Sequence, residues 1–498
     1  MSYKLVVKDA FWQILGRVLS AVAGLLVIKM ITPYLGPLRF GDYSTILKYF
    51  AVWAALADFG LYVIALRKLG QIKEESFEKL KTVYGKIVAT RFFMIFVVYT
   101  LAIFVAYLIP AYTENPYLIW GLPLGMMFSA SFMVAGMLQA PLQLYWKMKH
   151  LCIGLVLSRS AQLIMLVTVL YILFPGQEFD GSTLSIFVFC LIMASVVLSG
   201  IVQIAYVHRV GRKIIPLNLK FDKEFSKDII FSNRQYGVAY FLSSFHTLVV
   251  LIILSIFFPT EQNFAYVGVW ALALALMEIL LVVPQSLGNA LIHKISSKSK
   301  KHILKSFGYM IIFTIWIGIV FLINFAVFGT QIIYFVGGED YLGNGYIGGD
   351  VVLAFLGVVL VLSFVKQIFN YVFVINNLQN KLLIINFLGV SIGLIVGLPL
   401  ILQYNLIGGI ITQILLEVLF VLGAIFIAWK NKILPTINRN YYRTVIFIGF
   451  VILILGFYLE SMIGYAHFLS FIMMVVILNS VLLVLSYFPI KNIMKQIY

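Results

Sequence analysis

Apolar residues in this chain gather in continuous runs instead of recurring at alternate positions. Continuous runs near about twenty residues predict helices that cross a bilayer, whereas membrane strands alternate. The runs fall at 9–31, 42–66, 86–108, 117–138, 152–174 and 184–206. After a basic linker they resume at 230–258, 264–289, 306–328, 350–375, 382–403, 406–428, 444–459 and 466–487. The pattern predicts an all-α polytopic membrane protein of about 14 transmembrane helices.

The polar segments between these runs alternate in charge. With the N-terminus taken as cytoplasmic, inward segments hold 28 of the 36 Lys and Arg residues, densest at 67–86, 207–229 and 293–305. The outward loops 109–116, 175–183, 259–263, 329–349, 404–405 and 460–465 hold none, and the first outward loop holds only Arg39. A miscounted helix would invert this alternation downstream. Retention of cations inside therefore predicts a multi-pass protein of the plasma (inner) membrane with both termini cytoplasmic. Ala21-Val22-Ala23 resembles a signal cleavage site, but it interrupts an apolar run, and Arg17 lies where a signal's apolar region belongs, so the first helix is read as retained.

Composition agrees: 62% hydrophobic and 11% charged residues exclude a water-soluble enzyme, a disordered chain and a disulfide scaffold. The net charge of +17 is explained by cytoplasmic loops, which removes the case for nucleic-acid binding. Cys152 and Cys190 fall near opposite faces on this topology, against a disulfide. The six histidines have no acidic or thiol partner at ligand spacing. No metal and no cofactor is expected.

The helices divide as six, six and two. Lys8-Asp9 precedes the first and Lys227-Asp228 the seventh; Phe40-Gly41-Asp42-Tyr43 opens the second and Phe264-Ala265-Tyr266 the eighth. Trp146-Lys147-Met148-Lys149 has a weaker echo in Leu378-Gln379-Asn380-Lys381. A common offset points to a parallel duplication. The expected organisation is an N-lobe at 1–206 (helices 1–6), a basic cytoplasmic linker at 207–229, a C-lobe at 230–428 (helices 7–12), and 429–498 with helices 13–14 and a cytoplasmic tail. Two such lobes facing a central cavity is a transporter architecture, and no segment outside the membrane is long enough to fold as a catalytic domain.

Ionisable groups at membrane depth are costly and mark interior functional positions. Arg17 shares a polar or small helical face with Gln13, Ser20 and Gly24; Lys48 shares one with Asp58 and Tyr62. Helix seven offers Tyr240 and Ser243, with His246 beside them, and begins near Arg234. Glu278 aligns with Gln285 next to Pro284; Lys366 clusters with Asn370; Arg159 lies with Gln162; Glu417 falls near the midplane. The bland readings are snorkelling for Arg91, Arg234 and Lys29, a structural Arg partner for either glutamate, and a satisfied interior histidine. The cavity cations Arg17, Lys48, Lys366, Arg159 and Arg234 bias the interior positive, which suits anions and phosphate in particular. Asp58, Glu278 and Glu417 are candidates for ion coupling, and Gln13, Tyr240, Ser243, His246, Gln285 and Asn370 for cavity lining.

The stretch Tyr34-Leu35-Gly36-Pro37-Leu38-Arg39-Phe40-Gly41-Asp42-Tyr43-Ser44, followed by Asp58-Phe59-Gly60-Leu61, resembles the opening of bacterial oligosaccharide flippases. These form the polysaccharide transporter branch of the multidrug/oligosaccharidyl-lipid/polysaccharide exporter superfamily. The second half departs more, since Phe264-Ala265-Tyr266 lacks the glycine of the first repeat. The resemblance implies two six-helix lobes in a V around a central cavity and translocation of an undecaprenyl-pyrophosphate-linked or similar glycan. It implies that Arg17, Lys48 and Lys366 hold the pyrophosphate or acidic sugars, and that helices 13 and 14 accommodate the lipid tail.

The expected activity is alternating-access flipping of a polyprenyl-(pyro)phosphate-linked oligosaccharide to the outer leaflet, with membrane lipid around it and H+ or Na+ as coupling cation. Alternatives are a cation-coupled drug or metabolite exporter of the same superfamily and a membrane-embedded glycan polymerase or ligase. The latter needs a nucleophile–base constellation that the sequence does not offer.

Overall fold

The computed structural model describes residues 3–232, 234–258, 261–284, 300–343, 347–376 and 378–435, with isolated positions between 443 and 480. No strand occurs among the described residues. The first helices are α1 (Tyr3–Asp58), α2 (Leu61–Ile72), α3 (Phe77–Ala106), α4 (Pro110–Thr113), α5 (Pro116–Leu138) and α6 (Ala140–Leu144). They are followed by α7 (Met148–Val167), which continues as a π-helical turn over Thr168–Leu173, then α8 (Thr183–Gly211), α9 (Lys223–Ser232), α10 (Arg234–Phe257) and α11 (Glu261–Leu280). The last are α12 (Lys300–Gly337), α13 (Gly349–Ile375) and α14 (Gln379–Lys430).

Ten helices among the described residues are long and apolar enough to cross a bilayer, so the chain is a multi-pass membrane protein. Two of them, of 44 residues in α1 and 51 in α14, are each long enough to cross twice. Each contains one non-helical residue, Gly36 (φ 65°, ψ 171°) in α1 and Asn405 (φ 49°, ψ −120°) in α14. The expected outward loops at 32–41 and 404–405 are thus reduced to breaks at a single residue, with helix on both sides. Glycine at position 36 accepts the positive φ that a side chain resists. The expected loop at 329–349 is likewise helical as far as Gly337, with a 3-10 turn at Glu339–Tyr341. The expected runs 444–459 and 466–487 lie largely outside the described residues.

Packing divides the chain into two compact units, Met1–Gly268 and Val269–Tyr498. The repeat-based division differs from this one at α10, which packs with the first unit. Apolar side chains gain little by leaving lipid for protein, so helices in a membrane associate through close fit and buried polar contacts. In the first unit Gly121 and Gly125 of α5 leave a notch that Ile46 and Phe50 of α1 fill, and Gly200 of α8 lies against Ser131. Tyr49 donates to the Ala102 carbonyl at 2.7 Å and stands edge-on to Tyr112 at 5.7 Å.

The motif after the Gly36 kink is stitched down in the same manner. Arg39 pairs with Asp42 at 3.1 Å, Asn115 donates to the other Asp42 oxygen at 2.8 Å, and the Arg39 guanidinium lies 4.1 Å from the Tyr117 ring centroid. In the second unit Gly318 of α12 packs on Val361 and Gly357 of α13 packs on Leu322, a reciprocal close approach. Phe307, Ile311, Ile368, Val372 and Phe420 form part of the core beside it.

Candidate functional site

The first unit contains a cavity of about 510 Å³. Its position follows from a break in the chain. Helix α1 ends at Asp58; Phe59 (φ 45°) and Gly60 (φ 71°) turn left-handed, and α2 restarts at Leu61. Glycine carries the positive φ at the restart without strain. The Phe59 ring turns into α10, seating against Gly237, where no Cβ stands in its way. That contact fixes α10 so that Tyr240 and Ser244 reach the cavity wall.

Asp58 lines the cavity and forms an ion pair with Arg91 of α3, whose side chain is only 6% exposed. Arg91 is thus an interior group and not a snorkelling one. Its Nε is buried without a hydrogen-bond partner. Tyr62, Gln139 and Gln143 also line the space, and among the described residues their polar ends have no protein partner. Phe128, Phe132 and Met133 supply an apolar wall. Among the described residues Asp58 and Arg91 are the only charged ones in this lining, and their charges sum to zero.

The remaining sequence candidates sit elsewhere. Arg17 is half-buried on α1, within electrostatic reach of the Tyr62 hydroxyl; Lys48 and Gln13 are half-buried on the same helix. Arg159 donates to Gln162 at 2.8 Å and stands within reach of Tyr43, whereas Arg234 is exposed at the start of α10. Ser243 is half-buried and His246 buried on α10, outside the cavity lining. Glu278 is half-buried on α11, and Gln285 lies outside the described residues.

In the second unit Lys366 of α13 pairs with Glu417 of α14 at 2.7 Å, and Ser363 donates to the same Glu417 oxygen at 2.7 Å. All three are buried, so this is a closed ion pair between neighbouring helices. Asn370 lies one turn further along α13, its Oδ1 buried without a partner. Sequence reading missed Gln139 as a cavity group. Its four-residue spacing from Gln143 was the available signal, but both fall at the end of an apolar run, where a polar cap is the ordinary reading.

The linker after α8 is strapped to the base of this site. Asp222 accepts from Lys86 at 2.6 Å, Ser226 and Thr90 share a hydrogen bond at 2.7 Å, and the Asn218 carbonyl lies over Gly85. Phe225 sits 4.5 Å from the Lys68 ammonium, ring centroid to nitrogen. The hydrogen bond from Lys86 holds the Asp222 carboxyl below its ordinary pKa.

The described residues thus form a helical multi-pass membrane protein with a cavity at a helix break and ion pairs buried between helices. Residues 6–295 match the family described as polysaccharide biosynthesis protein, and the chain belongs to it. Among solved structures it is similar to the lipid II flippase MurJ in an inward closed conformation, at 14% identity and a TM-score of 0.69, over 97% of this chain and 99% of that one. It is also similar to an inward-facing multidrug resistance MATE family transporter of the MOP superfamily, at 14% identity and a TM-score of 0.56, over 84% of this chain and 94% of that one. An outward-facing MATE family transporter gives 14% identity and 0.52, over 87% and 96%. No curated protein matches the chain.

Proposed function

We propose that the protein is a flippase that moves a polyprenyl-(pyro)phosphate-linked oligosaccharide from the cytoplasmic to the outer leaflet of the plasma (inner) membrane by alternating access, with both termini cytoplasmic. The observation that carries this reading is the extent of the likeness to MurJ, a lipid II flippase, over 97% of the chain against 84% for the MATE transporter. Membership of a polysaccharide biosynthesis family supports the glycan part.

On this reading the lobes at 1–206 and 230–428 alternate access between the two leaflets, and the C-terminal runs 444–459 and 466–487 attend the lipid tail. Arg17 and Lys48, half-buried on the helix that ends at the cavity, take the pyrophosphate. Arg159 and Arg234 belong to the same cationic set, which Lys366 joins only if its ion pair with Glu417 opens, and Gln13, Ser243, His246, Gln285 and Asn370 form the wider polar lining. Asp58, Glu278 and Glu417 are the acids assigned to coupling with a proton or Na+; for Asp58 and Glu417 this requires the ion pairs with Arg91 and Lys366 to open as access changes sides.

The test is binding of a bare polyprenyl pyrophosphate to purified protein. Replacing Arg17 and Lys48 by Ala together lowers its affinity at least about tenfold while the protein elutes as wild type. Unchanged affinity removes these two from the phosphate site. The exporter alternative rests on the shared fold with MATE transporters; drug-stimulated cation uptake without any need for a glycolipid is the result that favours it.

A further inference from the structure

We propose that the cavity of the first unit is a subsite for uncharged sugar rings, distinct in chemistry from the cationic positions that hold the phosphate; this rests on the flippase reading above. Three observations point there. First, its charged residues, Asp58 and Arg91, cancel each other in an ion pair. An anion entering the cavity would have to compete with Asp58 for Arg91, so phosphate and acidic sugars gain little. Second, the groups left without protein partners are a phenol and two primary amides, on Tyr62, Gln139 and Gln143. Each both donates and accepts, which matches a sugar hydroxyl that does the same.

Third, part of the wall is aromatic, with Phe128 and Phe132 at i, i+4 on α5. Their rings are 5.6 Å apart and tilted at 55°, a surface on which the C–H face of a pyranose packs. A mixed lining of few polar groups and aromatic faces is that of a small-molecule pocket, and 510 Å³ lies within the usual range of about 300–1,000 Å³. The volume exceeds what a single ring fills, so the ligand class is a short neutral oligosaccharide.

The experiment measures three probes on purified protein in nanodiscs: a polyprenyl pyrophosphate bearing a neutral hexose–N-acetylhexosamine disaccharide, the bare polyprenyl pyrophosphate, and a panel of free neutral oligosaccharides of hexose and N-acetylhexosamine. The variant combines Tyr62→Phe with Gln143→Ala; a second carries Gln139→Ala alone, so that a folding defect in one leaves the other informative. Loss of two hydrogen bonds predicts affinity for the disaccharide lipid at least about tenfold weaker in the double variant, with the bare pyrophosphate unchanged. Equal loss for both lipids, or loss for neither, overturns the subsite. Wild-type protein that ignores both lipids but binds a free oligosaccharide in a Tyr62- and Gln143-dependent way overturns the flippase reading and keeps the subsite. Binding of none of the probes overturns both.

Discussion

Removing Asp58 alone leaves the Arg91 guanidinium inside the bundle with neither a counter-ion nor a partner for its Nε. Breaking a buried pair in this way costs about 3–5 kcal/mol, whereas replacing both partners by apolar groups of similar volume is near neutral. The Asp58 side chain keeps 15% of its surface and faces the cavity, so water relieves part of the penalty and the lower end, about 3 kcal/mol, applies. For a unit of this size that corresponds to roughly 5 °C in apparent Tm. The assay is a double-mutant cycle on detergent-purified protein: Asp58→Ala, Arg91→Met, and Asp58→Ala with Arg91→Met, each followed by thermal unfolding and size-exclusion. Either single change lowers Tm by several degrees, and the double change recovers most of the loss. Strictly additive losses, or an Asp58→Ala protein as stable as wild type, refute the view that the two side chains hold each other in place.

Two further outcomes follow from the packing. Asp222 is held below its ordinary pKa of 3.8 by Lys86, so the strap it anchors keeps that contribution above 3.8 and loses it only as pH falls through the lower folded value. Amide protection over 212–226, the exchange rate relative to the intrinsic rate at each pH, is therefore flat between pH 7 and about pH 5, and Asp222→Asn lowers it already at neutral pH; unchanged protection in that variant contradicts the latch. Gly125→Leu drives a side chain into Ile46 and Phe50, and overpacking of this kind costs about 1–3 kcal/mol or more. Reduced yield of monodisperse protein checks it, with Gly136→Leu, where the added Cβ meets open space, as the tolerated control.

The crossings were legible because a bilayer forces an apolar run of fixed length, and the charged loops then counted them independently. The kinks at Gly36 and Asn405 were not. The interval 32–41 between two apolar runs reads as an outward loop, whereas the chain turns at a single residue, Gly36, and is helical on both sides of it. Asp58 and Arg91 were each marked as costly at depth, but not as a pair: they lie 33 positions apart on α1 and α3, and helical periodicity aligns residues only within one helix. Lys366 and Glu417 show the same limit, 51 positions apart. The sign of a cavity is set by such pairings, so a tally of intramembrane cations overstates the field that any one pocket presents.

Translocation itself tests the account most directly. Proteoliposomes loaded on the inner leaflet with a disaccharide-bearing polyprenyl pyrophosphate, and exposed to an external lectin or glycosidase, report headgroups that have crossed. Wild-type protein is expected to deliver the inner pool to the outside within minutes, and protein carrying Arg17→Ala with Lys48→Ala is expected to match empty vesicles. Wild-type vesicles indistinguishable from empty ones, while the same preparation exports a soluble drug, would contradict the account.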